Sequence, residues 1–402
     1  RRLPRGVRGH VDSGLGKGPA FGTVGLAVPT EVVGATPTEM TIDGVRFVFQ
    51  YTPESEAPAE FTFYLPEKKA FCGAEVVSHT MHNLYTLRGA KVRDALRWSG
   101  YIDEAIVMFG GEAEVMFASH HWPTWGNARI VGYLEKQRDT YKYIHDQTMR
   151  LASSGHTPRE IAEQLELPES LAPSFANRGY YGTVRHNAKA VYQWYFGWYD
   201  GNPANLDPLP PEESGARYVA AMGGADAVLG RARDAYDAGE YRWAASLLDH
   251  LVFAGQAGGD AEELLARTYE QLGYAAESGP WRDVYLSGAY ELRNGEPGGG
   301  TGLASAIQLL RHTPMERFFD SMAARLDGPK AQGKETTINF VFSDLDESHV
   351  LTVENAVLHH KRRDPDPGAD ATIRLTRDFF LRLAMRQVGL REAIFSDELE
   401  VE

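Results

Sequence analysis

The chain has 402 residues, 41 Lys and Arg against 55 Asp and Glu, a formal net charge of −14 and a single cysteine. That acidic balance argues against a nucleic-acid backbone binder, and weakly against docking on an anionic membrane, since both need a basic face. One cysteine excludes an intrachain disulfide and any CxxC metal or redox motif, and no apolar run reaches the length of a membrane-spanning helix.

The length predicts two or three domains. Arg1-Arg2-Leu3-Pro4-Arg5 leads into Gly-rich sequence without signal-peptide character, so the chain reads as beginning in mid-domain. Residues 1–130 read as strands and turns. Segments 24–28, 39–42, 45–51 and 61–65 are rich in β-branched and aromatic residues; Asp43-Gly44 marks a hairpin and Pro66 ends the last of them. A helix is expected over roughly 87–99, then strands at 105–109 and 114–118. Cys72 lacks the neighbours of a reactive thiol and reads as a packed residue.

Residues 131–293 read as helical. Thr157-Pro158-Arg159-Glu160 is a capping box with Pro at the first helical position. Tyr236 and Tyr241 recur as Tyr269 and Tyr274, with Gly239 and Gly273 nearby, which suggests a pair of tetratricopeptide-like hairpins. Residues 294–302 are a Gly-rich linker. Segment 303–402 reads as a small α+β domain, with a helix at 315–326, strands at 337–342, 350–354 and 371–375, and a helix capped by Thr376.

The chemistry-bearing residues concentrate in 52–127. Ser119-His120-His121-Trp122-Pro123 follows directly on a strand, where ligand-binding and catalytic groups collect; packing against Trp122 and Trp125 is the alternative. Glu56 and Glu75 each sit at a strand edge or end, and carboxylate oxygen with imidazole nitrogen suits Zn²⁺. His79 and His82, three residues apart, would share one helical face. Arg88 and Arg93, with Asn83 upstream, offer planar forks for a tetrahedral oxyanion, or ion pairs with Asp94 or Asp103. Tyr180-Tyr181-Gly182-Thr183-Val184-Arg185-His186-Asn187 is a second polar-aromatic cluster, and the aromatic run 192–199 reads as a core stripe or a pocket wall. A helix-turn-helix-like run at 157–171 is set aside on charge.

The ordered series Glu56-Ala57-Pro58-Ala59-Glu60, Cys72-Gly73-Ala74-Glu75, His82-Asn83-Leu84-Tyr85-Thr86-Leu87-Arg88-Gly89-Ala90, Ser119-His120-His121-Trp122-Pro123 and Gly201-Asn202-Pro203-Ala204-Asn205-Leu206 resembles the linear alkylsulfatases, bacterial enzymes of the metallo-β-lactamase superfamily. The resemblance is collinear along essentially the whole chain. It implies a multidomain α+β protein: the C-terminal part of a metallo-β-lactamase αββα domain (1–130), an all-α dimerisation domain (131–293) and an α+β sterol-carrier-like domain (303–402). It further implies hydrolysis of alkyl sulfate esters such as dodecyl sulfate in a homodimer with a pair of zinc ions per subunit, and is compatible with a periplasmic or secreted location. Glu56 would bind one zinc, Glu75 would bridge both and His120 would bind the second. Asn83, Arg93 and His186 would hold the sulfate group, with Tyr181 also contacting substrate, and the aromatics of 180–199 would line the alkyl tail. The family's His-x-His-x-Asp-His motif does not occur among the 13 histidines, and in the family it lies upstream of the segment matching Arg1. That missing motif supports a second reading, a non-catalytic, dimerising, lipid-binding fragment.

Overall fold

The structure, a computed structural model, describes residues 3–18, 25–296 and 310–402. Residue 24 of the first expected strand, residues 297–302 of the linker and residues 303–309 lie outside the described residues. The described chain divides into two compact units, the first holding 3–18 and 32–296 and the second 25–31 and 310–402.

In the first unit six strands pair in chain order: β1 (Thr38–Ile42), β2 (Val45–Tyr51), β3 (Phe61–Leu65), β4 (Ala70–Cys72), β5 (Val115–Phe117) and β6 (Thr124–Trp125). Asp43 and Gly44 both take positive φ, as the tight turn joining β1 to β2 requires. All pairings are antiparallel except β4–β5, which run parallel with Cys72 opposite Phe117. A parallel pair needs a crossover, and helix α1 (Ala95–Phe109) provides it.

The structure differs from four local expectations. Residues 25–28 form no strand. The helix expected over 87–99 starts at Ala95, because Asp94 caps it by accepting the Leu96 and Arg97 N–H groups. Residues 105–109 form the end of that helix and no strand. Their apolar run conceals a helical period, since Ala95, Trp98, Ile102, Ala105 and Phe109 are buried while Val107 is 80% exposed. Residues 79–82 are likewise irregular, so His79 and His82 share no helical face.

Helix α2 (Asn127–Ser153) buries Ile130, Leu134, Tyr141 and Ile144 on the stripe facing the sheet half. One core runs from Tyr64 and Phe71 through α1 and α2 to α4 (Val184–Phe196), so it continues across residue 130. Between them α3 (Pro158–Gln164) begins at the expected Thr157 capping box. After α5 (Pro211–Ala221) come two helical hairpins, α6 (Ala225–Asp237) with α7 (Tyr241–Phe253), and α8 (Gly258–Ala275) with α9 (Gly279–Asn294). They share a second core including Val228, Leu247, Leu248 and Leu265. Tyr236 and Tyr269 occupy corresponding helices, but α8 runs on past Tyr274 whereas Tyr241 opens a new helix. No described helix is long and apolar enough to cross a membrane.

The second unit is a five-stranded sheet in the order β11 (Leu399–Val401), β10 (Ala371–Leu375), β7 (Thr336–Phe342), β8 (Glu347–Glu354), β9 (Val357–Arg362). Its core packs Phe319 of the helix Met315–Ala323 against Phe342, Leu351 and Phe380. Thr376 caps the helix Arg377–Ala384 as expected.

Cys72 is buried in the first unit, and burial pushes its thiol pKa up. Native protein is therefore expected to resist a thiol-specific reagent, with one equivalent reacting only after unfolding in urea. Fast labelling of the native chain would contradict the packing described.

Candidate metal centre

Glu75 and His120 come together because both follow the carboxyl ends of the parallel pair β4–β5. The two departing loops are tied by the Gly73 N–H on the Phe117 carbonyl (2.8 Å) and the Ser119 N–H on the Ala74 carbonyl (3.0 Å). His120 Nε2 then lies 2.7 Å from Glu75 Oε1. Glu56 arrives on the loop 52–60, closed at its neck by the Thr52 N–H on the Glu60 carbonyl (2.9 Å). Glu54, Ala74 and His121 all hold positive φ. Each stands within two residues of one of these side chains, where left-handed non-glycine backbone is uncommon and marks a constrained site.

The third member of the cluster is His82. Ligand atoms of Glu56, Glu75 and His82 all lie within 4.8 Å of one another. His82 is buried, and its Nδ1 lies 2.9 Å from the Asn83 carbonyl. A carbonyl only accepts, so Nδ1 carries the proton and Nε2 presents its lone pair. That Nε2 is buried with no hydrogen-bond partner among the described residues. Burial, helped by Arg93, pushes the His82 pKa down to about 3, so the ring stays neutral. An unpaired imidazole nitrogen beside two carboxylates is a donor set suited to a divalent ion such as Zn²⁺.

The surrounding helices fix His82. The Tyr141 hydroxyl of α2 accepts its N–H (2.9 Å), and Asn187 Nδ2 of α4 donates to its carbonyl (2.9 Å) while Asn187 Oδ1 accepts the Leu84 N–H (2.9 Å). Trp98 of α1 lies against the His82 ring and donates to the Val76 carbonyl (2.8 Å).

Arg93 is buried and largely committed. Its Nη2 pairs with the Glu56 carboxylate, Nε donates to the Glu56 carbonyl (2.6 Å), and Nη1 to Asn83 Oδ1 (2.7 Å), the Asn83 carbonyl (2.9 Å) and Thr86 Oγ1 (3.1 Å). Even so, burial and the neighbouring Glu75 carboxylate outweigh Arg93 and raise the Glu56 pKa. Glu60 is pushed up to about 7, chiefly by burial, against the Glu75 N–H that donates to it. Tyr181 reaches the site: its ring meets His82 edge-on, and burial raises its pKa. His186 is engaged at both nitrogens, Nε2 on the Tyr85 carbonyl (2.7 Å) and Nδ1 accepting from Trp281 Nε1 (3.0 Å). Burial lowers its pKa. Arg88 is exposed, makes no ion pair among the described residues, and acts electrostatically on Glu56, His82 and Tyr181.

Residues 157–295 match the family described as "Alkyl sulfatase dimerisation", and 304–402 match "Alkyl sulfatase C-terminal". A linear primary-alkylsulfatase of Pseudomonas is 35% identical over 379 residues, covering 92% of this chain and 70% of the relative. The chain belongs to the alkylsulfatase family. Another linear primary-alkylsulfatase of Pseudomonas is 46% identical over 400 residues, all of this chain but 59% of the relative. The solved stereoselective inverting sec-alkylsulfatase Pisa1 from Pseudomonas superposes with a TM-score of 0.93 at 43% identity, over all of this chain and 63% of that one. The chain therefore spans about three-fifths of the length of those two relatives.

The aromatic surroundings of this site differ from the sequence reading. Of the 180–199 aromatics, Tyr180 and Tyr181 reach the loops of the site. Tyr195, near the end of α4, hydrogen-bonds His145 Nε2 of α2 (2.9 Å). Trp122 and Phe175 are exposed rings in contact with one another, with Phe175 on Tyr180 and Trp122 on His121. Gly182 is required here: a Cβ would lie 2.5 Å from the His82 carbonyl oxygen and 2.7 Å from the Asn83 nitrogen. Gly182→Ala is expected to cost about 1–3 kcal/mol in urea unfolding and to weaken metal uptake by displacing His82. A variant matching wild type in both respects would contradict this packing.

Proposed function

We propose that this chain carries the substrate-binding and much of the metal-binding part of a zinc-dependent hydrolase of alkyl sulfate esters, dodecyl sulfate being a representative substrate. The observation that carries the reading is the bare, buried Nε2 of His82 beside Glu56 and Glu75. Glu56, Glu75, His82 and His120 would hold metal. When bound, such ions supply Lewis acidity and lower the pKa of water towards neutrality.

The chain's own residues do the rest. Arg93 holds Glu56 and Asn83 in place from behind, while Arg88, exposed and uncommitted, is the guanidinium best placed to take the sulfate oxygens. The Asn83 side chain and Tyr181 form the wall beside it, and His186 fixes the Tyr85–Thr86 backbone leading to Arg88. The apolar tail would lie on Trp122 and Phe175. We also propose a homodimer, with exposed Trp243, Phe253 and Val284 of the helical hairpins as contact residues.

The test is sulfate release from dodecyl sulfate by the zinc-supplemented chain. Release abolished by chelation supports the proposal. A chain that takes up zinc, binds dodecyl sulfate and releases no sulfate supports the dimerising, lipid-binding reading instead.

A further inference from the structure

The two carboxylates of the site come from separate loops, and one side chain joins those loops. Glu60 Oε1 accepts the Glu75 N–H (3.1 Å). Ser55 Oγ, next to Glu56, donates to Oε2 of the same carboxylate at 3.4 Å. The Glu60 backbone carbonyl closes the neck of the Glu56 loop through the Thr52 N–H. Glu60 thus sits inside the loop that presents Glu56 while capping the backbone of Glu75. Glu56 and Glu75 otherwise depend on different elements: Glu56 on the Arg93 guanidinium, Glu75 on the β4–β5 strand ends.

We infer that Glu60 is a positioning residue that sets the spacing of the Glu56 and Glu75 carboxylates, touching neither substrate nor metal. The inference rests on the reading of Glu56 and Glu75 as metal ligands. Its physical basis is preorganisation. A ligand pair held at its working separation binds an ion without first losing loop freedom, and outer hydrogen bonds to ligand-bearing backbone supply that hold.

The experiment uses the 402-residue chain, with Glu60→Leu, Glu60→Gln and, as a surface control, Glu114→Gln. Zinc affinity is measured by competition with a chelating dye, and amide hydrogen exchange is followed at Glu75 without metal. Glu60→Leu keeps the bulk and removes the acceptors. It is expected to lower zinc affinity about 10- to 100-fold and to speed exchange at the Glu75 amide. Glu60→Gln keeps an acceptor oxygen without the charge and is expected to restore most of the affinity, which separates hydrogen bonding from charge. Should Glu60→Leu fail to fold, Glu60→Asp, one carbon short of the Glu75 N–H, takes its place with the same expectation. Wild-type zinc affinity in the Leu or Asp variant overturns the inference alone, as does exchange that stays slow at Glu75. A wild-type chain that takes up no zinc defeats the metal reading and this inference with it.

Discussion

Arg93→Met is expected to destabilise the chain by about 3–5 kcal/mol in urea unfolding, the cost of leaving a buried charge without its partner. The side chains of Arg93 and Glu56 are only 9% and 16% exposed. Methionine keeps much of the stem's packing, so the loss reports the guanidinium. The same substitution removes the donors to Asn83 and Thr86 that hold 83–86 against the Glu56 loop. Adding Glu56→Gln to Arg93→Met should recover much of the loss, because the unpaired carboxylate is then gone. Arg46→Met, which breaks an exposed pair with Glu39, should cost no more than about 1 kcal/mol. Equal small losses for Arg46 and Arg93 would mean that Arg93 is solvated and not structural.

Glu75→Ala is expected to reduce zinc affinity by more than the roughly 100-fold typical of losing an outer-shell partner. Glu75 faces His120 on one side and lies within reach of both Glu56 and His82 on the other, so its removal leaves no carboxylate shared between them. The stability of the metal-free chain should change little, since the Glu75 side chain is 25% exposed and the hydrogen bonds tying its loop are backbone bonds. Equilibrium dialysis against zinc, with a parallel urea curve, separates the two effects. An unchanged affinity would remove Glu75 from the centre.

The strands with regular alternation and marked turns were legible residue by residue, as Phe61–Leu65 before Pro66 and the Asp43-Gly44 hairpin show. Residues 105–109 were not, because a run of consecutive apolar residues has the same appearance on a strand and on a helix with one buried face. Glu56, Glu75 and His120 were legible as loop residues at strand ends, and the parallel β4–β5 pair places Glu75 against His120. His82 drew attention for a helical spacing from His79 that the structure lacks. Its role depends on a proton position set by the Asn83 carbonyl and on burial by Tyr141 and Asn187, some 59 and 105 residues away in the chain. No local pattern encodes such a neighbourhood. Glu60 is hidden for the same reason: a carboxylate in a Pro- and Glu-rich loop reads as solvated until the Glu75 N–H is seen to end on it.

The most direct test is zinc content by mass spectrometry after exhaustive dialysis, for the wild-type chain and for His82→Ala. Three protein donors around one point predict that wild type retains at least about one zinc ion per chain, and that His82→Ala loses it while remaining folded. A wild-type chain that retains none, or a His82→Ala chain that retains as much as wild type, would contradict the account of this site as a metal centre built on His82, Glu56 and Glu75.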